Sequence, residues 1–234
     1  MASWGVGALM ALLLWAGIGE AGPGGGAGDP TPQLVVARLE AAWEAVRDYR
    51  ALLVSTAWVG VAPPERTTLR YWFQKPDRLR LEFISPRAGL VLVYPYRPDG
   101  PQGEPRARVQ PGGFLRFLRL TLDPGSPRLA VAPGQGVDQT DLGLLVRNIA
   151  RSLTAEARSP PVLREYRDHL VAAVEAEAHF LRGVPARYEF RIDRALWLPV
   201  GVREELPERG WVREVVFQDL DVNPGFPEDL FRLE

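Results

Sequence analysis

The chain has 234 residues, 46% of them hydrophobic and 24% charged, enough to bury the core of one domain or at most two small ones. Its 28 basic and 29 acidic side chains leave a net charge of -1, which argues against the strongly basic face of a nucleic-acid binder. Cysteine is absent, which excludes disulfides, thiolate metal sites, a cysteine nucleophile and a lipidated N-terminal cysteine.

The first charged side chain is Glu20. Ahead of it runs VGALMALLLWAGIG, and GEAG follows, so residues 1–21 read as an export signal cleaved after Ala21, although no basic residue precedes the apolar run. A retained membrane anchor is the alternative, because the uncharged stretch approaches the roughly 20 apolar residues of a spanning helix. Residues 22–30, rich in glycine, read as a linker, and one folded domain is expected over 31–234.

A helix is predicted from about Pro32 to Arg47. Thr31 suits its N-cap and Pro32 its first position, and Val35, Leu39, Trp43 and Val46 share one face. After Asp48 the period changes from 3.6 to 2. YRALLVSTAWVGV, TTLRYWFQK and RLRLEFI read as strands. In the last two, Leu69, Tyr71 and Phe73, then Leu79, Leu81 and Phe83, lie on the dry face, and Lys75-Pro76-Asp77 makes the corner between them. GLVLVYPY follows as a strand carrying Leu90 and Leu92. Residues 97–113 read as a polar loop enclosing one short strand, and FLRFLRLTL and PRLAVAP as two weaker strands.

TDLGLLVRNIARSL returns to helical spacing over 140–153. Leu142, Val146, Ile149 and Leu153 form its stripe with Leu145 beside it, Thr140 suits the cap, and Asp141 suits the positive end. HLVAAVEAEAHFL, ARYEFRID, LPVGVREEL and GWVREVVFQDLDV are four more strands, and in the tail Phe226, Leu230 and Phe231 are expected to pack back on the sheet. The layout of helix, strands, helix, strands predicts an α+β domain on a large antiparallel sheet.

Four stretches together resemble the LolA-like family of periplasmic lipoprotein-localisation factors and the related outer-membrane lipoprotein-sorting proteins. They are the N-terminal helix leading into long strands, YWFQKPDRLRLEF, GLVLVYPYRP, and the closing LPVGVREELPERGWVREVVFQDLDVNPGFPEDLF. The resemblance implies a curved, incomplete β-barrel whose open mouth is covered by helices. It implies a pocket holding the acyl chains of a lipoprotein or lipid, and a monomer located in the periplasm. An inner-membrane transporter and an outer-membrane receptor would be its partners, and no cofactor or metal would be needed. Leu69, Tyr71, Phe73, Leu79, Leu81, Phe83, Leu90 and Leu92 would line the pocket from the strands, and Leu142, Val146 and Ile149 from the lid helix. In these carriers an arginine before the corner proline fixes the lid to the barrel rim. Lys75 stands there in this chain, with three donors and no planar fork.

Other chemistries have thinner support. Glu175, Glu177 and His179 alternate as if on one strand face and could ligate a metal, but a wet strand face explains them more simply. Asp219 and Asp221 could form an acid pair, and no partner for them is visible. No serine sits in an elbow motif, so the chain is read as a non-enzyme and a hydrolase is the weaker alternative. An envelope sensor or protein-interaction module on the same fold is the stronger alternative.

Overall fold

The computed structural model describes residues 30–98, 100, 102–129 and 135–233. The predicted export segment and almost all of the linker lie outside the described residues. Among the described residues, no helix is long and apolar enough to cross a membrane.

Helix α1 (Pro32–Ala45) starts as expected: Thr31 Oγ1 accepts the Leu34 N–H at 3.2 Å, and Pro32 takes a position where its missing N–H is no loss. Its buried stripe is Val35 and Leu39. The first run of strands is β1 (Asp48–Val59), β2 (Glu65–Gln74), β3 (Arg78–Ser85), β4 (Val91–Tyr96), β5 (Arg106–Gln110) and β6 (Leu120–Leu122). Helix α2 (Leu142–Leu153) intervenes. The second run is β7 (Val162–Glu165), β8 (His169–Glu177), β9 (Pro185–Asp193), β10 (Pro199–Leu206) and β11 (Trp211–Val222).

All eleven strands form one antiparallel sheet in the order β6-β5-β4-β3-β2-β1-β11-β10-β9-β8-β7. β11 returns to pair with β1, so the two hairpin runs meet at the centre. β6 and β7 are the free edges, which leaves an incomplete barrel, as expected. Alternation decides the faces. Leu69, Tyr71, Phe73, Leu79, Leu81 and Phe83 are all buried, whereas Arg70, Arg78, Arg80 and Glu82 turn outward. α1 and α2 cover the dry face, and their crossing is close: a Cβ on Gly143 would lie 2.4 Å from the Trp43 ring.

Antiparallel pairing sends alternate connections to the same edge of the sheet. The turns after β1, β3, β5, β8 and β10 share one edge, where Gly60 N–H bonds the Gly210 carbonyl at 2.9 Å. This is the mouth edge. The tail lies on the outer face, where Arg80 donates to the Leu230 carbonyl at 2.9 Å and Phe226 meets Phe231 edge-on.

Four local expectations change. FLRFLRLTL is a strand only at Leu120–Leu122; Gly113–Leu115 is a 3₁₀ turn that opens with Gly113 at φ 67°, which a β-strand cannot use. In PRLAVAP, residues 127–129 form a turn and 130–133 lie outside the described residues. Asp141, not Thr140, caps α2, accepting the Leu144 N–H at 2.9 Å, while the Thr140 hydroxyl donates to the Val137 carbonyl. β7 was not anticipated; it is four residues long and pairs only with β8.

Candidate functional site

A cavity of about 250 Å³ lies between the concave face of the sheet and the cover formed by α2 and the segment before it. Strand register orders its wall in rows. The inner row is Phe83, Leu69, Leu53 and Phe217, with Tyr71 and Leu81 below it. The middle row is Thr67, Ser55, Val215 and Val202. The row nearest the mouth edge is Glu65, Ala57, Arg213, Glu204 and Tyr188. Two residues along each strand is one row, so the wall passes from apolar to charged within four residues of β1.

The inner end closes on stacked aromatic rings. Tyr49 lies parallel to Tyr71 at 5.6 Å and close to Phe73 at 5.3 Å, and Trp43 of α1 meets both Tyr49 and Phe73. The Tyr49 hydroxyl accepts the Leu142 N–H at 2.9 Å, tying the first turn of α2 to the sheet. Burial holds the Tyr49 and Tyr71 phenols above their usual range, so both remain neutral donors.

The polar end is a buried network. Arg213 Nη2 lies 3.7 Å from Glu204 Oε2, and both side chains are less than a tenth exposed. The Tyr188 hydroxyl donates to Glu204 at 2.7 Å, and Arg213 Nη1 donates to Gln135 at 2.8 Å. Burial, then the Glu204 carboxylate, pushes the Tyr188 phenol up. Burial also lowers the Arg213 guanidinium. The pair therefore neutralises itself and presents polarity without net charge.

His179 completes this end. Its Nε2 is 2.8 Å from Ser152 Oγ, and its ring stacks on Tyr188 at 4.1 Å. Burial, with the positive charges of Arg151 and Arg213, pulls the imidazole down to about 3, so the ring is neutral at physiological pH. β8 ends at Glu177, and the turn carries His179 inward, away from the two glutamates. Glu175 pairs with Arg187, and Glu177 accepts the Gly183 N–H. The candidate metal set is thus dispersed, and among the described residues no cluster of His, Asp and Glu could hold a metal. A bulge at Asp219, φ 51°, breaks the alternation between the two aspartates, and Asp221 pairs with Arg50 at 2.7 Å.

Of the pocket residues named from sequence, Leu69, Tyr71, Leu81 and Phe83 line the cavity. Phe73, Leu79, Leu92 and Leu142 are buried in the adjoining core, with Leu90 packed against it. Val146 and Ile149 are buried against β8 and β9 in the second half of the core. The face that α2 turns to the cavity is Leu144, Leu145 and Asn148. Lys75 sits at the far edge, where its Nζ donates to the Trp43 carbonyl at 2.7 Å and lies 4.3 Å from the Trp43 ring. It clasps the C-terminus of α1, not α2.

No family model and no curated protein matches the sequence. Solved structures with similar shape include a DUF1329 family protein from Desulfovibrio piger, at 12% identity over 86% of this chain and 95% of that one, with a TM-score of 0.48. Another is a LolA superfamily protein from Nitrosomonas europaea, at 9% identity over 87% and 98%, TM-score 0.43. A third is a putative outer-membrane lipoprotein-sorting domain from Vibrio parahaemolyticus, at 12% identity over 84% and 94%, TM-score 0.41. The likeness to each is one of overall shape, at 9–12% identity.

Proposed function

We propose that the protein binds the acyl chain of a lipid or lipoprotein in this cavity and carries it through the periplasm. The observation that carries the reading is the graded wall: an inner end of Leu53, Leu69, Leu81, Phe83 and Phe217, and an outer end of polar and charged groups that includes the Arg213–Glu204 pair. That gradient suits an amphiphile with its chain inward and its polar group toward the mouth edge. A bound chain recovers about 0.8 kcal/mol per buried CH₂. The volume lies below the roughly 300–1,000 Å³ of drug-sized sites, so a long chain requires α2 to move outward. Hand-over from an inner-membrane transporter to an outer-membrane receptor is the role the sequence resemblance implies.

Binding suits the polar groups better than catalysis does. Ser152 and His179 form a hydrogen-bonded pair, but Ser152 is fully buried and does not line the cavity. A nucleophile without access to the cavity has nothing to attack.

A fluorescent fatty-acid probe tests the reading. The protein should enhance probe emission saturably. Leu145→Trp, which fills the cavity from α2, should abolish the enhancement, as should Leu81→Asp, with far-UV circular dichroism confirming that each variant is folded. Undiminished enhancement in a folded Leu145→Trp variant would place the probe elsewhere and refute the assignment.

A further inference from the structure

We propose that the mouth edge docks on an anionic lipid bilayer, with Phe114, Phe117 and Leu118 entering the headgroup layer and Arg116 and Arg119 against the phosphates. The proposal does not depend on what the cavity holds.

Exposed apolar side chains are concentrated at this edge. Of the twelve large hydrophobic residues exposed among the described residues, eight lie at Val59 and Val61, at Ile84, and between Phe114 and Leu120. Val61, Phe114 and Phe117 are 106%, 85% and 71% exposed. Large exposed apolar groups gathered along one edge mark an interaction surface. Four of the eight lie in the segment FLRFLR, a repeat of three. It begins in the 3₁₀ turn Gly113–Leu115 and continues through a further turn closed by Leu118 N–H to the Leu115 carbonyl. Across these two turns, at about three residues per turn, Phe114 and Phe117 fall on one face and Arg116 on another, and Arg119 lies just beyond the second turn. This is the pattern of an interfacial element, apolar on one side and cationic on the other.

Charge selects the occupant. The five mouth-edge turns, residues 60–64, 86–90, 111–119, 178–184 and 207–210, hold five arginines and one glutamate, on a chain whose net charge is -1. Arg119 Nη1 donates to the Arg116 and Leu118 carbonyls, which shapes the loop and keeps the positive charge there. The apolar tips project from separate turns along one edge, and they do not form a groove. A planar anionic surface meets all of them at once. The same turns supply Arg87, His179 and Phe180 to the cavity wall, so docking places the mouth against the bilayer. Gly112 packs on the Ala88 carbonyl, which fixes the FLRFLR loop beside the Arg87 turn.

The cysteine-free chain makes a direct test possible. In the full chain, Leu118→Cys is labelled with a solvatochromic dye, and Leu196→Cys at the opposite edge serves as the control. With phosphatidylglycerol vesicles the dye at position 118 should shift to the blue and the dye at 196 should not. Phosphatidylcholine vesicles should give little shift. Adding Arg116→Ala and Arg119→Ala should weaken vesicle affinity roughly 30-fold. The proposal is overturned if the protein sediments with anionic vesicles while the dye at 118 stays in a water-like environment, because attachment is then through another segment. It is equally overturned if neutral vesicles bind as well, or if the arginine substitutions change nothing.

Discussion

His179 was expected on a wet strand face and instead stands in the cavity wall, and the error has a physical source. Alternation of Glu175, Glu177 and His179 holds only while the strand continues, and β8 stops at Glu177, where Ala178 N–H turns back to the Val184 carbonyl. Arg213 and Glu204 were missed for a related reason. In a strand, charged residues read as solvent-facing, but here they are register partners on β11 and β10 and satisfy each other. No single-strand pattern contains that pairing. The burial of His179 has a measurable consequence. The folded protein refuses the proton down to about pH 3, whereas the unfolded chain takes it up near 6.5. Stability is therefore full above pH 6.5 and falls as pH drops toward 3. The linkage amounts to about 2–3 kcal/mol between pH 7.5 and 4.5. Urea unfolding at the two pH values should show a smaller difference in the His179→Gln variant. An equal difference would mean that other groups carry the acid sensitivity.

At the scale of elements, the end of α1 is held by side chains from distant parts of the chain. Lys75 Nζ reaches the Trp43 carbonyl at 2.7 Å and the Glu44 carbonyl at 3.4 Å, and Asn223 Nδ2 reaches the Ala45 carbonyl at 3.1 Å. The Glu44 and Ala45 carbonyls are ones that the helix leaves without internal partners, whereas the Trp43 carbonyl accepts the Val46 N–H at 3.0 Å as well as the Lys75 ammonium. Asn223 also accepts the Arg47 N–H at 2.7 Å and tolerates φ 60°, which explains the asparagine that follows β11. The lysine at the corner was legible in the sequence as a helix-end cation, but its helix was not. Lid and clasp were assigned to the helix over 140–153, and only the fold brings α1 to the corner. The clasp still bears on α2, because the Trp43 ring under the Lys75 ammonium also packs on Gly143. Lys75→Met should cost about 1–2 kcal/mol in denaturant titrations, from a charge-assisted hydrogen bond and a cation–π contact. It should also speed fatty-acid uptake in stopped-flow mixing, because α2 loses its brace. Unchanged uptake with the expected loss of stability would make Lys75 a structural residue alone.

Across the whole molecule, hairpin alternation placed ten of the strand segments and the dry face, because period-2 patterning and turn residues act locally. The return of β11 to β1, which turns two meanders into one open barrel, is a long-range pairing that local pattern cannot supply. The pocket was legible only in part for the same reason. Every inward residue looks alike in sequence, and the helices decide which are cavity wall and which are plain core. Trp43 and Leu142 fill the region over Phe73 and Leu79, while Leu69, Leu81 and Phe83 face open space. Acyl carriage therefore depends on whether that space is made for a chain. Native mass spectrometry of the protein purified from an envelope fraction, followed by lipid extraction, decides this most directly. A co-purifying acyl species is expected, and its loss from the Leu145→Trp variant. A bare protein that also takes up no fatty acid on incubation would contradict it, and would leave the concave face as a core with an empty corner.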